Sequence, residues 1–363
     1  MTDAADRTGA PNRLATRFTE LVGCRLPIVQ TGMGWVSGAN LTAATSSAGG
    51  FGILAAVTMT ADRLRDAVRS VQARTDAPFG VNFRADQPDL ADRLAFVTGA
   101  GVRLVSFAGA PTKDAIARVH DAGGLVMPTV GARRHAEKML SWGVDAVIAQ
   151  GGEGGGHTGT VPTSLLLPQV CEAVGAEIPV LGAGGFHSGA GLVAALAHGA
   201  DGIAMGTRFL LTAESRVPEA IKARYTAAGV FDTVVTTALD GAPQRVIRTE
   251  TIDGLEKAPT LLKLPAAARR ALAFRKQTGT SVRDLVREGL AMRRSQDLTW
   301  AQLAMAANAP MLIKAALVDG DPSVGVLPTG QVTGVIEELP PVAELLAGIV
   351  AEAEATLDRL AAR

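Results

Sequence analysis

Ile178-Pro-Val-Leu-Gly-Ala-Gly-Gly-Phe186 reads as a buried strand running straight into glycines. Gly202-Ile-Ala-Met-Gly-Thr-Arg-Phe209 repeats the design after one helical stretch, Gly189–His198. Strand, glycine turn, helix, strand, glycine turn is the pattern of parallel strands joined by crossover helices. Runs that are apolar throughout, rather than alternating, belong to strands covered on both faces.

Six further runs of this kind precede the pair: Leu26–Gln30, Gly52–Ala55, Phe79–Phe83, Val102–Phe107, Leu125–Met127 and Val144–Gln150. Between them lie the amphipathic segments Ala61–Ala73, Thr112–Ala122 and Arg133–Trp142, long enough to cross back over a sheet. Eight consecutive units predict an α/β fold closed into a (β/α)8 TIM barrel over 1–212, and the count disfavours an open doubly wound sheet. After Thr212 the texture turns helical and basic to about residue 315, so 213–325 reads as an inserted, mainly helical cap. Residues 326–363 return to the barrel: Gly325–Ile336 leads into an Ala/Leu/Glu-rich amphipathic helix, Pro341–Arg363, suited to be the last outer helix.

Composition bounds the function. Apolar residues make up 47% and charged residues 19%, as in a well-buried globular enzyme. Thirty-five basic residues balance thirty-five acidic ones, leaving no global field for nucleic acid or an anionic membrane, so an anionic ligand must be held locally. Cys24 and Cys171 stand far apart with no partner at metal spacing, which points to no zinc site or disulfide framework and to a reducing, cytoplasmic setting. No apolar leader opens the chain and no stretch is apolar enough to span a bilayer. Walker-type phosphate loops, H-E-x-x-H and G-x-S-x-G are absent.

Active sites of such barrels occupy the C-terminal ends of the strands, where small and polar clusters recur here: Thr31-Gly32-Met33-Gly34, Asn82-Phe83, Gln150 onward, Gly182-Ala183-Gly184-Gly185 and Gly206-Thr207. Glycines let backbone N–H groups approach a phosphate closely, and loops after the seventh and eighth strands form the usual phosphate cradle of this fold. The same glycines would also serve as plain strand-to-helix turns; two such loops at consecutive strand ends favour the ligand. The phosphate's owner, flavin, sugar or other cofactor, stays open at this level.

Asp145-Ala-Val-Ile-Ala-Gln-Gly-Gly-Glu-Gly-Gly-Gly-His157 is the most informative loop. A strand feeds six residues of which five are glycine, then a histidine placed at the barrel mouth. Ordering that much glycine is entropically costly, as expected where backbone must lie against a ligand. Histidine titrates near neutrality and can take a proton from carbon acidified by a nitro or carbonyl group. His120, His135 and His198 fall within helices and read as surface or packing residues. His187 suits a cap or a secondary donor, and Glu153 either orders the glycine loop or is solvated.

These residues resemble the nitronate monooxygenase, or 2-nitropropane dioxygenase, family of FMN barrels, whose relatives include flavin-dependent enoyl-thioester reductases. The resemblance is carried by Pro27-Ile-Val-Gln-Thr-Gly-Met-Gly, Ala48-Gly-Gly-Phe-Gly, Pro78-Phe-Gly-Val-Asn, Asp145 through His157, Gly182-Ala-Gly-Gly, Met205-Gly-Thr-Arg-Phe, and Gly330-Gln331 with Gly334. It implies that Gly32 and Met33 touch the flavin ring, that Asn82 and Gln150 bond its polar edge, and that Gly185, Gly206 and Thr207 hold its phosphate. Gly34, Gly155, Gly156, Ala183 and Gly184 complete the implied cofactor set, and His157 is the implied catalytic base.

The family's Glu-Ala-Gly-Gly-His stands here as Glu153-Gly154-Gly155-Gly156-His157, and the region 213–325 is longer and more basic than a nitroalkane pocket requires. Arg245–Arg248, Arg275-Lys276 and Arg293-Arg294 read as solvated helix faces or as a grip for coenzyme A phosphates. Met292-Arg-Arg, Asp297-Leu-Thr-Trp-Ala-Gln and Ala306-Ala-Asn-Ala-Pro-Met resemble an actinobacterial branch of the family that acts on steroid-ring acyl-CoA. The leading reading is therefore nitronate oxidation with O2. The alternatives are FMN-dependent oxidation or reduction of a ring-bearing acyl-CoA, with NAD(P)H as a further electron partner, a flavin-free lyase or isomerase on a phosphate ligand, and a silent ligand-binding barrel. Self-association into a homo-oligomer stays open.

Overall fold

The computed structural model describes residues 13–257, 309–321 and 325–363. Eight parallel strands close on themselves in chain order: β1 (Ile28–Gln30), β2 (Phe51–Ala55), β3 (Gly80–Phe83), β4 (Leu104–Phe107), β5 (Leu125–Val130), β6 (Val147–Gln150), then β8 (Val180–Ala183) and β9 (Gly202–Met205). β9 pairs back onto β1 through Ile28–Ile203 and Gln30–Met205, which completes the barrel expected from the eight apolar runs.

Side chains of a strand alternate between faces, so each strand contributes one set of residues to the barrel interior and one to the helix layer. Val29, Ile53, Leu104, Met127, Ile148, Leu181 and Ala204 form the interior cluster. Ile28, Leu54, Val81, Val105, Val126, Val147, Val180 and Ile203 belong to the larger core shared with the outer helices. The N-terminal end is stoppered by a helix that sequence periodicity did not single out, Arg17–Val22. Its Phe18 meets Phe51 edge-on at 5.9 Å, and Arg17 forks onto the Asp201 carboxylate at 3.0 and 2.8 Å.

The C-terminal helix Val342–Ala361 packs on Gly189–Ala197 and on Ala39–Ser47, as the last outer helix should. The approach is very close: a Cβ on Gly189 would sit 2.3 Å from Ile349 O and 2.4 Å from Ala353 N, both backbone atoms that cannot swing aside. Gly189→Ala is expected to force the two helices apart and destabilise the fold by about 1–3 kcal/mol. A lowered urea midpoint at unchanged slope checks this, and a wild-type midpoint refutes it.

Cys24 and Cys171 are both free thiols. Burial pushes Cys24 up to about 12 and Cys171 up to about 11, so neither supplies thiolate at neutral pH. No helix among the described residues is long and apolar enough to cross a membrane.

Within the mainly helical stretch after Thr212, β10 (Thr233–Thr236) and β11 (Gln244–Ile247) form an antiparallel hairpin, with Thr233 opposite Ile247 and Thr236 opposite Gln244. Thr-Val-Val-Thr is a β-branched run that loses rotamer freedom in a helix and packs well on a pleated surface. Asp240-Gly241 between the strands is a strong turn pair, with Gly241 at φ +89°. β7 (Gly156–His157) adds to β11, Gln244 opposite His157 and Arg245 opposite Gly156, so the hairpin reaches down onto the glycine-rich loop. Leu239, Val246, Ile252, Leu312 and Val326 give this small sheet its own apolar cluster. The basic pairs Arg275-Lys276 and Arg293-Arg294, and the stretch from Met292 through Asn308, lie outside the described residues.

Candidate active site

Strand register and the two-residue period decide which side chains meet at the top of the barrel. Asn82 stands opposite Ser106 across β3 and β4, and Gln150 opposite Ala183 across β6 and β8. Each lies two residues beyond an interior position of its own strand, so these residues share the uppermost inward-facing layer. Asn82 Nδ2 donates to Ser106 Oγ at 3.2 Å in a buried contact, which sets the amide's orientation. Gln150 Nε2 donates to the carbonyl of His157 at 2.7 Å, tying the layer to the loop above it.

The loop after β1 leans over this layer from one side. A Cβ on Gly32 would lie 2.3 Å from Asn82 Cβ, so only glycine lets the chain cross there. Buried Gln30 and Ser37 shape the loop: Gln30 Nε2 donates to Ser37 Oγ at 2.8 Å, and Ser37 Oγ accepts from Met33 N at 2.9 Å. Trp35 adopts φ +68°, rare for a bulky residue, and its indole N–H donates to Pro310 O at 3.1 Å, joining the loop to the helix Ala309–Leu317.

Opposite stand the loops after β8 and β9. Gly184 and Gly185 take φ of +92° and +83°, and a Cβ on Gly184 would meet Gly151 O, Thr163 Oγ1 and Gly154 N at 3.0–3.1 Å. A Cβ on Gly206 would lie 3.4 Å from both Met33 Sδ and Thr31 Oγ1, so the β1 and β9 loops face each other closely. Thr207 Oγ1 accepts from Gly330 N at 2.9 Å and keeps its own proton to donate. Arg208, next in that motif, is buried and spends its guanidinium on the carbonyls of Leu211 (3.3 Å) and Glu338 (3.0 Å); desolvation lowers its pKa.

The glycine-rich loop is held from three directions. Glu153 accepts from Thr163 N at 2.9 Å and Thr163 Oγ1 at 2.7 Å, capping the helix Thr163–Val174, so it orders the loop rather than being merely solvated. Arg245 donates to Gly152 O at 2.9 Å and to Thr233 Oγ1 at 3.0 Å, and burial lowers its pKa against the opposing pull of Glu153. Gln331 N donates to Glu153 O at 3.0 Å, and a Cβ on Gly155 would strike Thr329 C and Gly330 N at 2.4 and 2.5 Å. Arg245 is thus a scaffold of the loop, and the half-exposed Arg248 pairs with Asp253 at 2.8 Å.

At the loop's end His157 exposes 66% of its side chain, and Nε2 lies 2.8 Å from Oδ2 of Asp240, which is 11% exposed. No local signal marks Asp240 as the partner of a histidine 83 positions away. The β-branched run Thr233–Thr236 and the Asp-Gly pair are the local clues to the hairpin that carries it. Of the other histidines, His120, His135 and His198 are exposed on or at the end of helices. His187 does not cap the next helix; Ser188 does, accepting from Gly191 N, while His187 Nδ1 is buried without a protein partner.

Comparison with known proteins narrows the chemistry. A family model described as nitronate monooxygenase matches residues 15–352. A protein of Mycobacterium tuberculosis named (3aS,4S,5R,7aS)-5-hydroxy-7a-methyl-1-oxo-octahydro-1H-indene-4-carboxyl-CoA dehydrogenase is 54% identical over 94% of this chain and 96% of its own. Its namesake from Rhodococcus jostii is 52% identical over 96% and 98%. A probable nitronate monooxygenase of Staphylococcus saprophyticus is 32% identical over 66% of this chain and 80% of its own. Among solved structures, FabK from Thermotoga maritima superposes with a TM-score of 0.77 at 33% identity, covering 96% of this chain and 98% of that one.

Proposed function

Because the chain belongs to the nitronate monooxygenase family, FMN-dependent oxidoreductases, we propose that it oxidises a ring-bearing acyl-CoA thioester with His157 as the base. The observation that carries this reading is the match, along nearly the whole length of each chain, to two proteins named as dehydrogenases of a hydroxyindene-carboxyl-CoA. The nitronate-oxidising relatives match less of the chain and at lower identity. Sequence motifs by themselves favour nitronate oxidation, whereas the two relatives matched along nearly their whole length favour the acyl-CoA thioester.

The cradle fits the cofactor. Left-handed glycines at the end of β8, Gly206 with the Thr207 hydroxyl at the end of β9, and the fixed amides of Asn82 and Gln150 form a set of hydrogen-bonding groups suited to a phosphate at one side and a polar ring edge at the other. Gly32, Met33 and Gly34 would border the ring, with Gly155, Gly156 and Ala183 leaving it room. Bound there, FMN supplies the two-electron acceptor for the reaction.

The protein's own task is to bind, orient and move a proton. A thioester carbonyl acidifies the carbon beside it, and His157 takes that proton. With that proton on His157, the hydrogen on the adjacent carbon would leave with its electron pair toward the acceptor that FMN, held by Gly184, Gly185, Gly206 and Thr207, would supply, so that a carbon–carbon double bond would replace the two C–H bonds.

Anaerobic mixing tests the assignment. The hydroxyindene-carboxyl-CoA thioester named for the mycobacterial relative is expected to bleach the flavin's visible absorbance within the mixing time of a bench spectrophotometer. Ethyl nitronate is expected to bleach it far more slowly. Fast bleaching by the nitronate alone would return the protein to the nitronate-oxidising reading, and a colourless protein that takes up no FMN would remove both.

A further inference from the structure

We infer that Asp240 is the positioning residue that fixes His157 in the Nε2–H tautomer, so that Nδ1 is the nitrogen that takes the substrate proton. The inference rests on the base assignment made above and adds the group that sets which face of the imidazole is basic.

An ionised carboxylate only accepts hydrogen bonds, so the 2.8 Å contact between Asp240 Oδ2 and His157 Nε2 places the ring proton on Nε2. Neutral imidazole then carries its lone pair on Nδ1. The carboxylate is held independently of the histidine: Oδ1 accepts from Ala242 N at 3.1 Å, and Oδ2 also accepts from Gln244 Nε2. Leu239, one residue before it, is 2% exposed in the small apolar cluster and anchors that end of the hairpin.

The backbone of His157 is fixed from two sides, by pairing with Gln244 on β11 and by Gln150 donating to its carbonyl. With the main chain clamped and one ring nitrogen bonded, the other nitrogen has a set direction. Burial is lopsided, 11% exposure at Asp240 against 66% at His157, so the pair is largely shielded on the carboxylate side and open to solvent on the imidazole side. The second such pair, His120 with Asp145 at 2.8 Å, lies at the opposite end of β6, away from the cradle.

The competing explanation is that Asp240 merely builds the turn, since its Oδ1 bond to the amide two residues on is an Asx turn. Asp240→Asn separates the two. Asn builds Asx turns as Asp does, and its Oδ1 can still accept from Ala242 N. The atom facing His157 is then an NH2 donor, which forces the imidazole to accept at Nε2 and moves its proton onto Nδ1, where it blocks the base. The serine-protease triad shows the same logic, where the isosteric amide leaves the geometry intact but installs the wrong tautomer.

The experiment compares wild type, Asp240→Asn, Asp240→Ala and His157→Ala as FMN-loaded full-length proteins. The probe is the hydroxyindene-carboxyl-CoA thioester or, should that not reduce wild type, nitroethane, which needs the same proton removal. Asp240→Asn is expected to slow flavin reduction at saturating probe by about 100-fold or more, with half-saturation changed less than about threefold and FMN content unchanged. Asp240→Ala, which leaves Nδ1 able to accept in one tautomer, is expected to lose less. Imidazole 15N shifts report the tautomer without turnover: proton on Nε2 in wild type, on Nδ1 in Asp240→Asn. A reduction rate in Asp240→Asn within tenfold of wild type, a larger loss in Asp240→Ala than in Asp240→Asn, or an unmoved ring proton overturns the inference. Full activity in His157→Ala instead overturns the base assignment on which it rests.

Discussion

His157→Ala is expected to yield a folded, yellow protein whose flavin is reduced about 10²–10⁴-fold more slowly by any substrate that must first lose a proton from carbon. The fold should tolerate the change because the side chain is two-thirds exposed and β7 is held by backbone pairing with β11 and by Gln150 at the carbonyl. FMN should stay because the residues proposed to cradle it, Gly184, Gly185, Gly206 and Thr207, make no bond to the imidazole. A preformed anion needs no base, so ethyl nitronate, however slowly it reacts, should react with wild type and variant at similar rates. The split between the thioester and the nitronate separates a lost base from a damaged site. Equal slowing with both would mean that removal of the side chain disturbs flavin or substrate placement, and no slowing with either would end the assignment.

The second large effect is on the cofactor. Gly184→Val is expected to weaken FMN binding by about 100-fold or more while the barrel still forms. Two costs add. A β-branched residue at φ +92° is strained by about 1–3 kcal/mol. Its Cβ would also press on Gly151 O, Thr163 Oγ1 and Gly154 N, at about 3 Å each. Two of those three are backbone atoms, and the third is the hydroxyl that binds Glu153, so the loops after β6 and β8 must part for the side chain to fit. At about 1.4 kcal/mol per tenfold in affinity, a combined cost of about 3 kcal/mol corresponds to that factor. Fluorescence titration of apoprotein with FMN measures it, with circular dichroism as the control for folding. An affinity within threefold of wild type would show that this loop does not carry the phosphate.

What could be read locally and what could not divides along the range of the interaction. The eight barrel strands fall on apolar runs, and the glycine loops fall at strand ends, because burial on two faces and left-handed turns are demands a residue meets with its own side chain. Asn82, Gln150, Ala183 and Gly206 could be placed at strand ends by counting, though the pairing of Asn82 with Ser106 and of Gln150 with Ala183 is a matter of register between strands. The hairpin Thr233–Ile247 is not singled out in a stretch whose pattern is mostly helical, because its two four-residue strands are settled by pairing with each other and with the glycine-rich loop.

By itself the sequence determined an eightfold strand-and-helix alternation, a phosphate-type pair of glycine loops and one histidine after a glycine-rich loop. Tertiary structure alone decided how these are held. It set Glu153 on Thr163, Arg245 on Gly152, Gly330 on Thr207, the Arg17–Val22 stopper, and above all Asp240 against His157. Periodicity reports the environment of a residue within a few turns of chain, whereas a hydrogen bond between residues 83 apart exists only once barrel closure has brought β11 beside the loop after β6.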